Sequence, residues 1–479
     1  MIHHRVCEMT IEQFHTHLAN GDFTCEDVVR EYLDRIHRYD KQGPALNSII
    51  YVNPKAIEEA KAMDEWFKIE GLIGKLHGVP VLLKDNVETM DMPTTAGSLS
   101  LEGYRASKNA IIVERMKAEG AIIIAKTNLH EFAIWGETIS SILGQTRNPY
   151  DLTRTPGGSS GGTGSAVAAN LGMIGIGTDT INSIRSPASA NNLVGIRPTV
   201  GLVSKEGIVP YSNTQDAAGP ICRTVEDATK FLDAIKEGGG PLTESLILEG
   251  LKGKKIGVLK SFFGSQKEHV LTNNVMTEAM EVLHKNGAQL IMLEENFDAS
   301  YLVKDVSVHL HDFKDHLNMY LEALPESASI HSVDELIESG KFHEGIKDNL
   351  LKANTLSTNT DVYKKRLEKR DVLKSDLLKL IDTYDLDAIM YPHQKQLVCE
   401  IGGSQNDRNG VLGSVTGFPS ICVPAGFTPP TETAPVGVPV GMELLGKPHS
   451  EGTLIEIAYG YEQHAKVRKQ SPLVPEVGV

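Results

Sequence analysis

The sequence predicts a layered α/β fold, with helices packed on both faces of a sheet. Two observations carry this. Short continuous apolar runs at 79–83 and 121–125 are separated by a stretch of helical periodicity over 109–119, the alternation of a chain wound around one sheet. Similar runs at 386–391 and 420–424 read as strands that return to that sheet near the end of the chain. With 479 residues, 41% of them hydrophobic, the chain can enclose a large core without staples.

The elements follow in order. Thr10 can cap a short helix that carries Ile11, Phe14 and Leu18 on one face, and Gly21 stops it. Thr24 precedes Glu26 and Asp27, after which Val28, Val29, Tyr32, Leu33 and Ile36 recur at helical spacing. Asn53 and Pro54 open a third helix through Ile57, Ala60 and Phe67. The run at 79–83 is a buried strand ending at Lys84. Eight glycines lie between Gly157 and Gly177, but Ala166, Val167 and the run at 173–176 are apolar, so this is a packed helix and strand rather than a linker. The better linker is 236–243, with three glycines and a proline, and it leads into a charged, helix-rich segment over about 271–382. No internal repeat occurs. The expected organisation is one domain over 1–479, with a core at about 47–233 and 385–462 and the helical segment as an elaboration.

Charge and cysteine content exclude several classes. Asp and Glu outnumber Lys and Arg by 62 to 47, a net charge of −15, which repels phosphate backbones. The densest cationic runs, 252–255 and 364–370, are short and interrupted, so no nucleic-acid partner is expected. No apolar stretch approaches the ~18 residues of a membrane span. The start, Met1-Ile2-His3-His4-Arg5, has no apolar core of a secretory signal. Five scattered cysteines form no C-x-x-C, which suits reduced thiols in the cytoplasm.

Three residues could carry chemistry. Gly157-Gly158-Ser159-Ser160-Gly161 matches G-x-S-x-G, but polar residues and two prolines stand where a nucleophile elbow needs a strand. Ser183 ends a small polar turn that follows a strand and precedes an apolar, helix-like stretch. Backbone N–H groups of such a turn can converge on an anionic oxygen, so Ser183 is placed as a nucleophile; it could equally be a helix-capping serine. Lys84 ends an apolar strand, where partial desolvation would lower its pKa and make it a base; the commoner alternative is a lysine whose amine reaches solvent. His309, His311 and His316 with Asp312 and Asp315 form the densest potential metal-binding cluster. Its charge is read as a solvated helix face, so no metal is expected. No phosphate-binding loop or dinucleotide fingerprint is present.

As a set these segments resemble the amidase signature family: 78–86 around Lys84, 156–162 around Ser159, and 177–185 around Ser183, in that order. Further similar stretches are 125–128, 195–199, 219–220 with 223–228, and 417–426 with 439–441. The resemblance implies a three-layer α/β/α sandwich with a mixed central sheet and a helical elaboration. It implies a Ser-Ser-Lys amidohydrolase in which Ser183 is the acyl-enzyme nucleophile, Ser159 the bridging serine after a cis peptide from Gly158, and Lys84 the general base. Backbone amides of Thr180, Ile181, Asn182 and Ser183 would form the oxyanion hole, with Asp179, Arg185, Gly158 and Ser160 in support. One departure stands out. The family has Gly-Gly where this chain has Ile181-Asn182, and Ile resists a left-handed conformation, so the turn and the acyl pocket are expected to differ.

The expected reaction is hydrolysis of a small-molecule amide to a carboxylate and an amine or ammonia, without cofactor or metal, by a stand-alone enzyme for which a homodimer is the state considered. Acyl and leaving-group contacts are expected from 90–101, 134–143 and the helical segment. Rival readings are the catalytic A-type subunit of a glutamine-dependent tRNA amidotransferase and a hydrolase of carbamates or urea derivatives. A different class is a non-catalytic binding protein on the same fold.

Overall fold

A computed structural model describes residues 6–475, so the Met1–Arg5 segment lies outside the described residues. Among the described residues thirteen strands form: β1 (Ile49–Val52), β2 (Pro80–Lys84), β3 (Ile122–Thr127), β4 (Ile139–Ser140), β5 (Gly144–Gln145), β6 (Ile174–Asp179), β7 (Val194–Arg197), β8 (Ala217–Cys222), β9 (Lys255–Leu259), β10 (Gln289–Leu293), β11 (Ala388–Pro392), β12 (Ser420–Phe427) and β13 (Pro439–Leu445). β4 and β5 make a small hairpin. The other eleven form one mixed sheet in the order β1-β3-β2-β6-β8-β7-β12-β13-β11-β9-β10. Helices flank it on both faces, giving the three-layer α/β/α sandwich.

One of the sheet's two parallel parts, β3-β2-β6, is what places the lysine. Val81 and Leu83 of β2 register with Ile174 and Ile176 of β6, so Lys84 emerges beside the end of β6. All five residues of β2 and all six of β6 are buried, as expected for central strands covered on both faces. The N-terminal helices form as their caps direct. Thr10 and Gln13 make a capping box for Ile11–Ala19, and Thr24 and Asp27 another for Cys25–Tyr39. Among the described residues no helix is long and apolar enough to cross a membrane.

One sequence expectation needs correction here. The segment over 271–382 is not wholly helical: β10 lies within it, pairing parallel to β9 at the sheet edge. Its apolar residues Leu290, Ile291 and Met292 are only partly buried or exposed, so it lacks the continuous buried run that marks a central strand. The glycine-rich 236–243 stretch connects two parts of one sheet. Leu242 N–H donates to Asp233 (2.8 Å), folding the turn back on helix Val225–Ile235, and the chain rejoins the same sheet at β9.

The helices His309–Glu322, Val333–Ser339 and Lys347–Asn354 build a separate apolar cluster. Phe313, Leu317, Leu321, Leu336 and Leu350 pack there with Ala96, Leu101, Phe132 and Tyr211 from core loops. This clamps the helical segment over the loops that follow β2, β3 and β7.

Candidate active site

Lys84 is fully buried. Its Nζ donates to Ser159 Oγ (2.8 Å) and Thr178 Oγ1 (2.8 Å), with the Thr178 carbonyl at 3.4 Å. Burial pulls its pKa down to about 7, against the opposing charges of Asp179 and Asp216. This is not an amine reaching solvent. Lys126, on the adjacent strand, is equally buried but has a carboxylate partner in Asp85 (3.1 Å) and also donates to Val87 O and Thr94 Oγ1. Only one of the two lysines therefore lacks an ion pair.

Ser159 follows a cis peptide from Gly158. No strand leads directly into it, so the elbow geometry is absent. The loop is packed against neighbouring backbone. A Cβ on Gly162 would lie 2.2 Å from Asn128 O, and Gly157 sits at φ +67°, so both positions require glycine. Ser160 joins the loop to β6 through its Oγ to Thr178 O (3.1 Å), and to the next turn through its N–H to Ser183 O (3.3 Å). The Lys84–Ser159 pair and Ser183 are thereby held on one framework.

Ser183 ends the turn between β6 and helix Arg185–Ala190. The helix takes Ile184 as its N-cap and has no side-chain cap, so Ser183 is not a capping serine. Among the described residues no acceptor is bonded to the N–H groups of Ile181, Asn182 or Ser183, which leaves them available to an oxyanion. Neither Ile181 nor Asn182 has a positive φ. The Gly-Gly departure therefore carries no left-handed strain.

A buried charge network fixes the turn. Asp179 accepts from Ile184 N–H (3.0 Å), from Arg185 Nε (3.1 Å) and from Arg197 (2.9 Å). Burial opposes its ionisation, but Arg185 and Arg197 override that and hold the carboxyl well below the usual range. Arg185 also donates to Ile181 O (2.7 Å) and Gly410 O (2.8 Å) and pairs with Glu443. Glu443 in turn accepts from Tyr391 Oη (3.0 Å) and bonds His393 Nδ1 (2.7 Å). On the other side, Thr180 Oγ1 donates to Asp216 (2.6 Å) and Gln215 Nε2 to Thr180 O (3.2 Å). The sequence assigns a role to Asp179 and Arg185 but not to Arg197, Glu443, His393, Gln215 or Asp216. Arg197 falls within the family-like 195–199 stretch. Glu443 and His393 carry no local signal, because they meet only through the β11–β13 pairing.

A chamber of about 120 Å³ adjoins the turn, walled by Ile181, Asn182, Ser183, Tyr211 and Val411. Ile134, Trp135, Val303, His309 and Arg408 are walls both of it and of an outer cleft of about 1200 Å³. Ile181 does project here, as its bulk suggests. Residues 134–135 and the helical segment contribute as expected. The 90–101 stretch lines neither space; Ala96 and Leu101 pack beneath the helical segment instead.

The histidine cluster is not a solvated face. Asp312 is buried and accepts from Ser212 Oγ and Tyr363 Oη (2.8 Å); His316 Nδ1 accepts from Asn213 N–H (3.0 Å). His309 bonds Ser307 Oγ (2.7 Å) and stacks on Tyr211 at 5.6 Å. These side chains pin helix His309–Glu322 to the 211–216 loop, which explains their density without exposure.

The amidase family model matches residues 27–455. The A-type component of a glutamyl-tRNA(Gln) amidotransferase from Methanosarcina acetivorans is 33% identical, with 95% of this chain and 96% of that protein covered. A probable amidase of Arabidopsis thaliana is 34% identical, over 96% of this chain and 91% of its own. Among solved structures, the native peptide amidase of Stenotrophomonas maltophilia superposes with a TM-score of 0.89 at 32% identity, covering 98% of this chain and 99% of that one.

Proposed function

The chain belongs to the amidase family, enzymes that hydrolyse amide C–N bonds, and we propose that it does so on small-molecule amides through an acyl-Ser183 intermediate. The observation that carries this reading is the buried Lys84 Nζ, 2.8 Å from Ser159 Oγ and without a carboxylate partner. In its neutral form Lys84 takes the Ser159 proton while Ser159 takes that of Ser183, whose Oγ attacks the amide carbonyl. The oxygen that becomes negative faces the backbone N–H groups of the 180–183 turn. Amines leave poorly as anions, so Ser159 returns its proton to the amide nitrogen and is recharged from Lys84 as the C–N bond breaks. Water then attacks the acyl-Ser183 ester by the same relay, releasing the carboxylate and restoring Ser183. Asp179 and Arg185 act on the turn, not on the substrate. The relay calls for no cofactor.

Ser183→Ala tests the assignment. Turnover and labelling by a serine-reactive fluorophosphonate should both vanish while the far-UV circular dichroism is retained. Labelling that persists in Ser183→Ala and is lost in Ser159→Ala would transfer the nucleophile to Ser159.

We favour a protein that acts in the cytoplasm without other subunits, alone or as a homodimer. The likeness to the peptide amidase structure and the buried thiols Cys25, Cys222 and Cys422 support this. The 33% identity to an amidotransferase component favours a second reading, as one part of an assembly. Turnover of a simple amide by the purified chain separates the two.

A further inference from the structure

The walls of the outer cleft carry an unbalanced charge. Lys304, Lys352, Arg366, Lys395 and Arg408 line it, and among the described residues none of the five forms an ion pair. Its two acidic residues are engaged elsewhere. Asp298 caps a helical turn, accepting from Ser300 N–H (2.8 Å) and Tyr301 N–H (3.1 Å), and Asp407 pairs with His269 (3.1 Å). A concentration of unpaired cations is notable in a protein of net charge −15, because such a cleft focuses a positive field toward the reacting centre.

Arg408 is the cation that reaches inward, being a wall of the Ser183 chamber as well as of the cleft. Its guanidinium lies 5.8 Å from the centre of the Trp135 ring and, among the described residues, makes no hydrogen bond. Gly136 makes room for it, since a Cβ there would sit 2.7 Å from a guanidinium nitrogen. The nearby Glu137 does not saturate it. That carboxylate accepts from Gly136 N–H (3.1 Å), Gln405 N–H (2.9 Å) and Ser404 Oγ (3.5 Å). Arg408 is thus half-buried, fixed by an aromatic face, and has a planar donor fork without an acceptor. That fork matches a carboxylate in two parallel hydrogen bonds.

We propose that this cleft selects amides that also carry a carboxylate, and that the Arg408 guanidinium binds that carboxylate beside the scissile bond. The proposal rests on the amidase reading above and adds the substrate's charge class to it. Burial disfavours the charged form of Arg408, the nearby Glu137 offsets this only in part, and an incoming carboxylate adds a counter-charge in direct contact. The outer lysines and Arg366 would raise the local concentration of the same anions.

The test compares half-amides of succinic, glutaric and adipic acids with the neutral primary amides of equal chain length. Wild type should show kcat/KM higher for at least one half-amide by roughly tenfold or more, the size of a lost charge-assisted hydrogen bond. In Arg408→Gln the loss on that half-amide should exceed the loss on its neutral partner by about the same factor, and Arg408→Lys should recover part of it. A preference for the neutral amide at every length, or equal losses on both in Arg408→Gln, would overturn the proposal. A second measurement separates it from the hydrolytic reading: calorimetric titration of Ser183→Ala with glutarate against valerate. Arg408-dependent binding of glutarate without turnover of any amide in wild type would retire hydrolysis and keep the anion site. Turnover of neutral amides with no Arg408-dependent glutarate binding would do the reverse.

Discussion

Lys84 donates to two atoms of Thr178, the Oγ1 at 2.8 Å and the carbonyl oxygen at 3.4 Å, and neither carries a charge. Its third acceptor, Ser159 Oγ, is neutral as well. Nothing in direct contact repays the desolvation of an ammonium, so burial wins and the amine titrates near neutrality instead of at about 10.4.

The pH profile follows from that. The relay starts from neutral Lys84, so kcat/KM should rise with pH through about 7 and level off above it. Lys84→Ala should remove this limb. It should also cost amides more than esters of the same acyl group, since an alkoxide leaves more readily than an amine without the returned proton. Matched amide and ester kinetics in both proteins check this; equal losses would make Lys84 structural.

Stability carries a penalty from the same lysine. The unfolded chain keeps it protonated to about 10.4, whereas the folded chain releases the proton near 7. Between these values the unfolded state binds the extra proton, so stability rises with pH across that window. At and below about 7 the full penalty applies. Lys84→Met should therefore be inactive yet more stable than wild type at pH 7, by about 1–3 kcal/mol, with the gap closing toward about pH 10. Urea denaturation at neutral and at alkaline pH measures both; a variant less stable at neutral pH would contradict the argument.

Glu443 offers a test of the network behind the nucleophile turn. It is buried and joins Arg185, Tyr391 and His393. Glu443→Leu leaves part of the Arg185 charge unpaired in a dry interior, which should cost about 3–5 kcal/mol. Because Arg185 also holds Ile181 O, kcat should fall more than KM rises. Glu443→Gln, which keeps the shape and one acceptor, should show smaller losses of both. Denaturation midpoints and initial rates report these; an unaltered kcat in a destabilised Glu443→Leu would confine the network to a structural role.

Much of the site is legible in the sequence because its parts are local. A lysine at the end of an apolar run, a glycine-rich loop and a serine after a strand each leave a pattern within a few residues, and Asp179 and Arg185 flank the same turn. Strands are harder. β8 carries Pro220 at its centre, opposite Ile176, where proline ordinarily argues against a strand, and β7 has only four residues. The 309–316 cluster misleads because charge in a sequence cannot distinguish solvent from a buried partner such as Tyr363.

By itself the sequence determined the α/β layering, the alignment of Lys84, Ser159 and Ser183 with one family's catalytic set, and the absence of a strand before Ser159. Those rest on periodicity and short-range pattern, which the chain carries before it folds. The tertiary structure decided which buried lysine lacks a carboxylate, which arginines brace Asp179, and that Arg408 shares the walls of one chamber with Ser183. Each of these depends on partners from distant strands and loops. Burial and charge compensation are properties of the packed neighbourhood, and that neighbourhood exists only once the sheet has closed.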